Sequence, residues 1–132
     1  METRSLPYIS ADALVSRLEA EKGHGSTVVL DVRDDDREGG HINGSIHVPS
    51  STLTDAQLDE VIEKHISATS PEAVVVHCMF SQQRGPRAAA RLAARLSEME
   101  SKTQVLVLQG GFVGFNKAAS AKPHLLADIC PS

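Results

Sequence analysis

The chain has 132 residues, with 13 basic and 17 acidic side chains and a net charge of -4 when histidine is neutral; this balance argues against a nucleic-acid or polybasic membrane role. Aromatic residues make up 3% and tryptophan is absent, which leaves no stacking platform for single strands. The length suits one domain over residues 1–132, with roughly two-thirds of the unfolded chain's surface buried around one core.

Taken in chain order, Met1-Glu2-Thr3-Arg4-Ser5 is polar, with no apolar signal region and no long apolar span anywhere after it. The expectation is a cytoplasmic or nuclear protein. Ser10 is placed to cap a helix in which Ala11, Leu14, Val15 and Leu18 recur at helical spacing, and "KGHG" from Lys22 supplies its stop. "TVVLDV", Thr27 to Val32, is the short β-branched run expected of a strand covered on both faces. From Arg33 to Ser45 charge and glycine predict a loop, followed by the brief apolar "IHV". Thr54 and Gln57 form a candidate capping box for a helix carrying Leu58, Val61, Ile62 and Ile66, ended by Ser70-Pro71.

"AVVVHC", Ala73 to Cys78, reads as the next buried strand, and Pro86 suits the first position of the helix "PRAAARLAARLSEME". Its buried side is expected to be Leu92, Leu96 and Met99 with the alanines. "QVLVL", Gln104 to Leu108, is a further central strand closed by Gly110-Gly111, and Phe112, Phe115 and Leu125 are the packing residues of a last amphipathic segment. Strands alternating with helices predict an α/β domain built on an open parallel sheet with helices on both faces. Such sheets hold ligands at the carboxyl ends of their strands.

Chemistry concentrates after the second of these strands. Cys78 ends the strand and a helix opens a few residues later, so the residues between must wrap around the helix N-terminus with their N–H groups turned inward. Orphan amides and the positive end of the helix dipole make an anion site, and Arg84 adds a planar two-pronged clamp. A tetrahedral oxyanion fits such a cradle. The same field favours the thiolate form of a cysteine, which can attack a clamped tetrahedral centre in line while amides and Arg84 hold the developing charge. The competing reading is a buried structural thiol beside a surface arginine. The polar run "SQQR" and the order of strand, five-residue interval, Arg, Gly-Pro and helix favour the functional one. Two cysteines, Cys78 and Cys130, make neither a disulfide framework nor a zinc knuckle.

The segment "HCMFSQQRGPRAA" resembles the active-site loop of rhodanese-like enzymes with the longer loop, a group that includes M-phase-inducer phosphatases, eukaryotic arsenate reductases and fungal tyrosine phosphatases. "VVLDVRDDDREGGHINGSIHVPS" and "VLVLQGGFVGF" resemble the rhodanese-like signature and the last strand with its Gly-Gly turn, so the likeness spans nearly the whole chain. It implies a rhodanese-like fold and a single rhodanese-like catalytic domain. It also implies Cys78 as nucleophile, Arg84 as oxyanion clamp, and the backbone amides of Met79, Phe80, Ser81, Gln82 and Gln83 as the anion cradle, with Ser81 also able to hydrogen-bond the thiolate. The seven residues from Cys78 to Arg84 exceed the sulfurtransferase loop by one, and the wider cradle suits phosphate or arsenate.

The implied function is a tyrosine or dual-specificity phosphatase that hydrolyses phosphomonoesters through a cysteinyl phosphate, with arsenate reductase capacity. The alternative is a dedicated arsenate reductase that draws on glutathione or glutaredoxin; behind these stand a thiosulfate sulfurtransferase and a non-catalytic binding module. No bound cofactor or metal is required. The implied partners are a phosphorylated protein, a small phosphomonoester or arsenate, with glutaredoxin as a possible electron donor and neither nucleic acid nor membrane.

The sequence departs from that pattern at three places. Met79 stands where the M-phase-inducer phosphatases carry an acid, Val32 where they carry a second cysteine, and "AKPHLLADICPS" where plant-type relatives carry a zinc-binding cysteine cluster. A carboxylate within the Cys78–Arg84 loop cannot then be the general acid. Asp34, Asp35, Asp36 and Glu38 follow a strand end from which one could protonate a leaving oxygen, although such a charge run ordinarily serves as solvated surface. Asp31 and Arg33 resemble a structural pair that buttresses the site. His41 and His77 lack metal-ligand spacing. Of the stripe Arg87, Arg91 and Arg95, only Arg87 lies near enough to the helix N-terminus to recruit an anion.

Overall fold

A computed structural model of the chain describes residues 7–21, 26–34, 40–49, 53–68, 70–78 and 84–127. Five strands form one parallel sheet: β1 (Tyr8–Ile9), β2 (Thr27–Asp31), β4 (Ile46–His47), β5 (Ala73–His77) and β6 (Gln104–Leu108), in the order β1-β6-β5-β2-β4. β5 lies at the centre, paired with β2 from Thr27↔Ala73 to Asp31↔His77 and with β6 from Ala73↔Gln104 to Val76↔Val107. The remaining strands, β3 (His41–Ile42) and β7 (Leu126–Ala127), make a separate antiparallel pair. Among the described residues no helix is long and apolar enough to cross a membrane.

The continuous apolar strands are explained by helices on both faces. Because successive side chains alternate across a strand, Leu30, Val74, Val76, Val105 and Val107 face one way, against α2 (Asp55–Val61) and α3 (Arg84–Glu98). Val29, Val75, Leu106 and Leu108 face the other way, against α1 (Ala11–Glu21) and α4 (Gly111–Ala118). Val74, Val75 and Val76 are all sealed from solvent, and each such side chain contributes roughly 1.5–3 kcal/mol of transfer free energy. The open parallel sheet with helices on both faces is therefore the architecture observed.

Local signals hold in part. Ser10 caps α1, its Oγ accepting from the Ala13 amide at 3.1 Å, and Leu14 and Val15 are buried as their spacing requires. The stop expected at Lys22 to Gly25 falls outside the described residues. Thr54 caps α2 through the Gln57 amide at 3.2 Å, but the reciprocal arm of the capping box is missing: Gln57 Oε1 is buried with no hydrogen bond among the described residues. The expected single helix also changes form after about two turns, continuing as π-helical turns over Ile62–Ser67 that keep Ile62 and Ile66 buried beside Leu58. Ser70, at φ 46°, ends it in the left-handed region.

Three expectations are corrected. α3 begins at Arg84 rather than at Pro86; Pro86 still lies in the first turn, whose N–H groups lack intrahelical acceptors, so its missing donor costs nothing. Met99 is 53% exposed, because α3 ends at Glu98 and the next residue has left the helical face. The segment read as loop contains β3, whose His41 and Ile42 pair with Ala127 and Leu126. A two-residue strand has no periodicity to detect.

Candidate active site

Asp31 ends β2 and His77 ends β5 in the same register, so Cys78 and the residues after Asp31 leave the sheet side by side at its carboxyl edge. The ladder continues past the strand ends, with the Val32 amide donating to the His77 carbonyl at 2.9 Å and the Val48 amide to the Asp31 carbonyl at 2.9 Å. Cys78 is 3% exposed and packs on the α2 and α3 side of the sheet with Val76, Ala88 and Leu92. Its alternation partner His77 lies on the other side, its ring stacked on Phe112 at a centroid distance of 6.4 Å. His77 therefore supports Cys78 from behind, as the strand alternation predicts.

α3 comes unusually close to this strand end. A Cβ built on Gly85 would lie 3.3 Å from the Cys78 amide nitrogen and 3.4 Å from the Cα and carbonyl carbon of His77. The glycine after Arg84 thus lets the first turn of α3 rest directly on the backbone of the cysteine. From beneath, the Phe112 amide, one of the orphan donors at the start of α4, donates to the Cys78 carbonyl at 3.0 Å. His77 Nδ1 lies 3.1 Å from that same oxygen, a hydrogen bond for the tautomer protonated there. The turn into α4 requires left-handed backbone at Gly110 and Gly111, with φ 80° and 59°, which glycine adopts without steric cost.

Under the site lies a buried ion pair. Arg33 Nη2 and Asp31 Oδ2 are 2.7 Å apart, Arg33 Nε reaches both carboxylate oxygens at 3.0 and 3.2 Å, and the Arg33 amide donates to Oδ1 at 3.1 Å. Arg33 Nη2 also donates to the Gly40 carbonyl at 2.8 Å, and the guanidinium carbon sits 4.2 Å from the centroid of Phe112. Burial pushes the Asp31 carboxyl up, but the hydrogen bonds and charge of Arg33 together with the charge of His77 outweigh it, so its pKa lies below the usual value. Phe112 is thus wedged between His77 and Arg33. Its spacing in the sequence points to packing alone, and its place directly after the Gly-Gly turn is the one local signal of this second role.

Arg84 opens α3 and is about one-third exposed. Its Nη1 approaches Asp34 Oδ2 at 3.4 Å, so one of the four acidic candidates of the loop is brought to the arginine. Asp35, Asp36 and Glu38 lie outside the described residues, as do Met79, Phe80, Ser81, Gln82 and Gln83 and the cysteine Cys130. The arginine stripe divides by function. Arg91 donates to the Leu53 carbonyl at 2.8 Å and to Asp55 at 3.0 Å, and Arg95 to Asp59 at 2.6 Å, which pins α3 to the start of α2. Arg87, nearer the helix start, is exposed. A cleft of about 220 Å³ beside β4 and α2 and another of about 710 Å³ at the amino ends of β5 and β6 include neither Cys78 nor Arg84.

Comparison with known proteins places the fold in a family. Residues 10–118 match the family model described as "Rhodanese-like domain". The chain is 31% identical over 142 aligned positions to the dual specificity phosphatase ibp1 of Schizosaccharomyces pombe, covering 92% of this chain and 96% of that protein. Among solved structures, a yeast protein tyrosine phosphatase of the rhodanese family superposes with a TM-score of 0.82 at 30% identity, over 98% of this chain and 97% of the other. The As-Sb reductase of Leishmania major gives the same TM-score at 28% identity, over 92% and 84%. With the parallel sheet and the family match in agreement, the chain belongs to the rhodanese-like domain family.

Proposed function

We propose that this chain is a cysteine-dependent phosphatase that hydrolyses phosphomonoesters and also accepts arsenate. One observation carries the reading: Cys78 follows the central strand and Arg84 opens the helix packed on it, in a chain similar over nearly its whole length to a dual specificity phosphatase and to an arsenic-antimony reductase.

In the proposed reaction the Cys78 thiolate forms a bond to phosphorus as the bond to the leaving alcohol or phenol breaks, and the leaving oxygen takes up a proton. Arg84 and the amides of Met79 to Gln83 carry the charge that builds on the equatorial oxygens. Water then cleaves the cysteinyl phosphate, releasing phosphate and restoring the thiol. With arsenate the same attack expels a hydroxyl as water and leaves a cysteinyl arsenate. An external thiol such as glutathione then forms a mixed disulfide with Cys78 as the sulfur–arsenic bond breaks and its electron pair stays on arsenic, which passes from the pentavalent to the trivalent state and leaves as arsenite; a second thiol, glutathione or glutaredoxin, resolves that disulfide and restores Cys78. The Leishmania relative supports this second branch, and a reductase without phosphatase activity is the alternative.

Hydrolysis of an aryl phosphate and reduction of arsenate by glutathione and glutaredoxin, followed on one preparation beside Cys78→Ser, test the reading. At least one reaction is expected, and the variant should lose roughly a thousand-fold or more of it. Activity no higher than the variant's in both assays rejects the enzyme. Release of thiocyanate from thiosulfate and cyanide as the sole reaction would reassign the chain to sulfur transfer.

A further inference from the structure

The two ion pairs at the carboxyl edge of the sheet are built differently. Asp31 and Arg33 are 0% and 1% exposed and meet through several contacts as short as 2.7 Å, an arrangement that holds an arginine permanently. Asp34 and Arg84 meet between one carboxylate oxygen and one guanidinium nitrogen at 3.4 Å, with both side chains about one-third exposed. A long, partly hydrated pair of this kind is weak and exchanges readily with other ions. Asp34 is only three residues beyond the strand end that registers with His77, so its carboxylate is tethered beside the arginine whichever ion that arginine holds.

We propose that Asp34 is a built-in competitor for Arg84, a carboxylate that an incoming oxyanion must displace. The proposal rests on Arg84 acting as the oxyanion clamp. With no oxyanion bound, the Asp34 carboxylate is one partner of the guanidinium. When an oxyanion arrives, Arg84 exchanges one anion for the other, and the displaced carboxylate remains nearby as a like charge. Asp34 thereby lowers affinity for every tetrahedral oxyanion, inorganic phosphate included.

The test is titration of the protein with inorganic phosphate and with inorganic arsenate, followed by amide chemical shifts, for the wild type, Asp34→Asn and Asp34→Glu. Removing the charge should tighten both anions by roughly 1.4- to 5-fold, equivalent to about 0.2–1 kcal/mol, while Asp34→Glu stays near the wild type. The gain in Asp34→Asn should shrink as salt rises. Equal or weaker binding by a folded Asp34→Asn overturns the competitor and leaves the oxyanion site standing. Equal tightening by both variants also overturns it, because charge would then not be the cause. Failure of the wild type to bind either anion removes the site itself, and with it the competitor.

Discussion

Replacing Asp31 by Asn retains its shape and removes its charge, leaving Arg33 as a cation that is 1% exposed. The hydrogen bonds at 2.7 to 3.2 Å that the carboxylate accepts from Nε and Nη2 become weaker contacts to one amide oxygen, and the Gly40 carbonyl and the face of Phe112 remain as neutral partners. Breaking a buried pair from one side costs about 3–5 kcal/mol, out of the 5–15 kcal/mol that holds a typical domain together. Urea unfolding of Asp31→Asn should show that loss as a lower midpoint with little change in slope. The double variant Asp31→Asn, Arg33→Met should recover much of it, since neither charge of the pair is then left buried. A single-variant loss below about 1 kcal/mol, or a double variant as unstable as the sum of the two singles, would refute the assignment of Asp31 as the required counter-ion.

The remaining predictions concern acid stability and the approach of α3. Because the folded pKa of Asp31 is depressed, its contribution is present above the unfolded value of about 3.9 and is lost as pH falls below that value through the folded one. Acid unfolding of the wild type should therefore include a component below about pH 4 that Asp31→Asn lacks; identical acid profiles contradict it. Gly85→Ala puts a methyl 3.3 Å from the Cys78 nitrogen. With β5 held by strands on both sides, the first turn of α3 must move by a few tenths of an ångström, which costs about 1–2 kcal/mol, while the proposed activity, read as kcat/KM on an aryl phosphate, falls about 10- to 100-fold. Unchanged kcat/KM would show that this close approach does not set the site's geometry. Arg84→Lys keeps the charge but loses the planar fork, and kcat should drop about 10²- to 10³-fold with near-normal thermal stability.

The three main strands were legible because each is a β-branched run covered on both faces, which local composition alone reveals: Thr27–Asp31, Ala73–His77 and Gln104–Leu108 lie where "TVVLDV", "AVVVHC" and "QVLVL" put them. The Ser10 and Thr54 caps were legible for the same reason, since each bond spans three residues. Strands β1, β3, β4 and β7 were not, because each has two residues and exists only through a partner far along the chain. The conversion of the second helix to π-helical turns left no mark in the periodicity either, since Leu58, Ile62 and Ile66 recur at a spacing that an α-helix also accepts.

At the site, the sequence by itself determined which residue types stand at a strand-to-helix junction: a cysteine, a five-residue interval, an arginine and a small residue able to admit a close helix. It could not show that Asp34 meets Arg84, fifty positions later, because such a pairing depends on where the backbone carries the two residues. Nor could it show that Phe112 lies between His77 and Arg33, residues about 35 and 79 positions earlier in the chain. Local chemistry is written in neighbours along the chain and can be read there. The pairing of Asp34 with Arg84, the wedge of Phe112 and the seat of Gly85 on Cys78 depend on strand register and helix approach, and those are decided only when the sheet assembles.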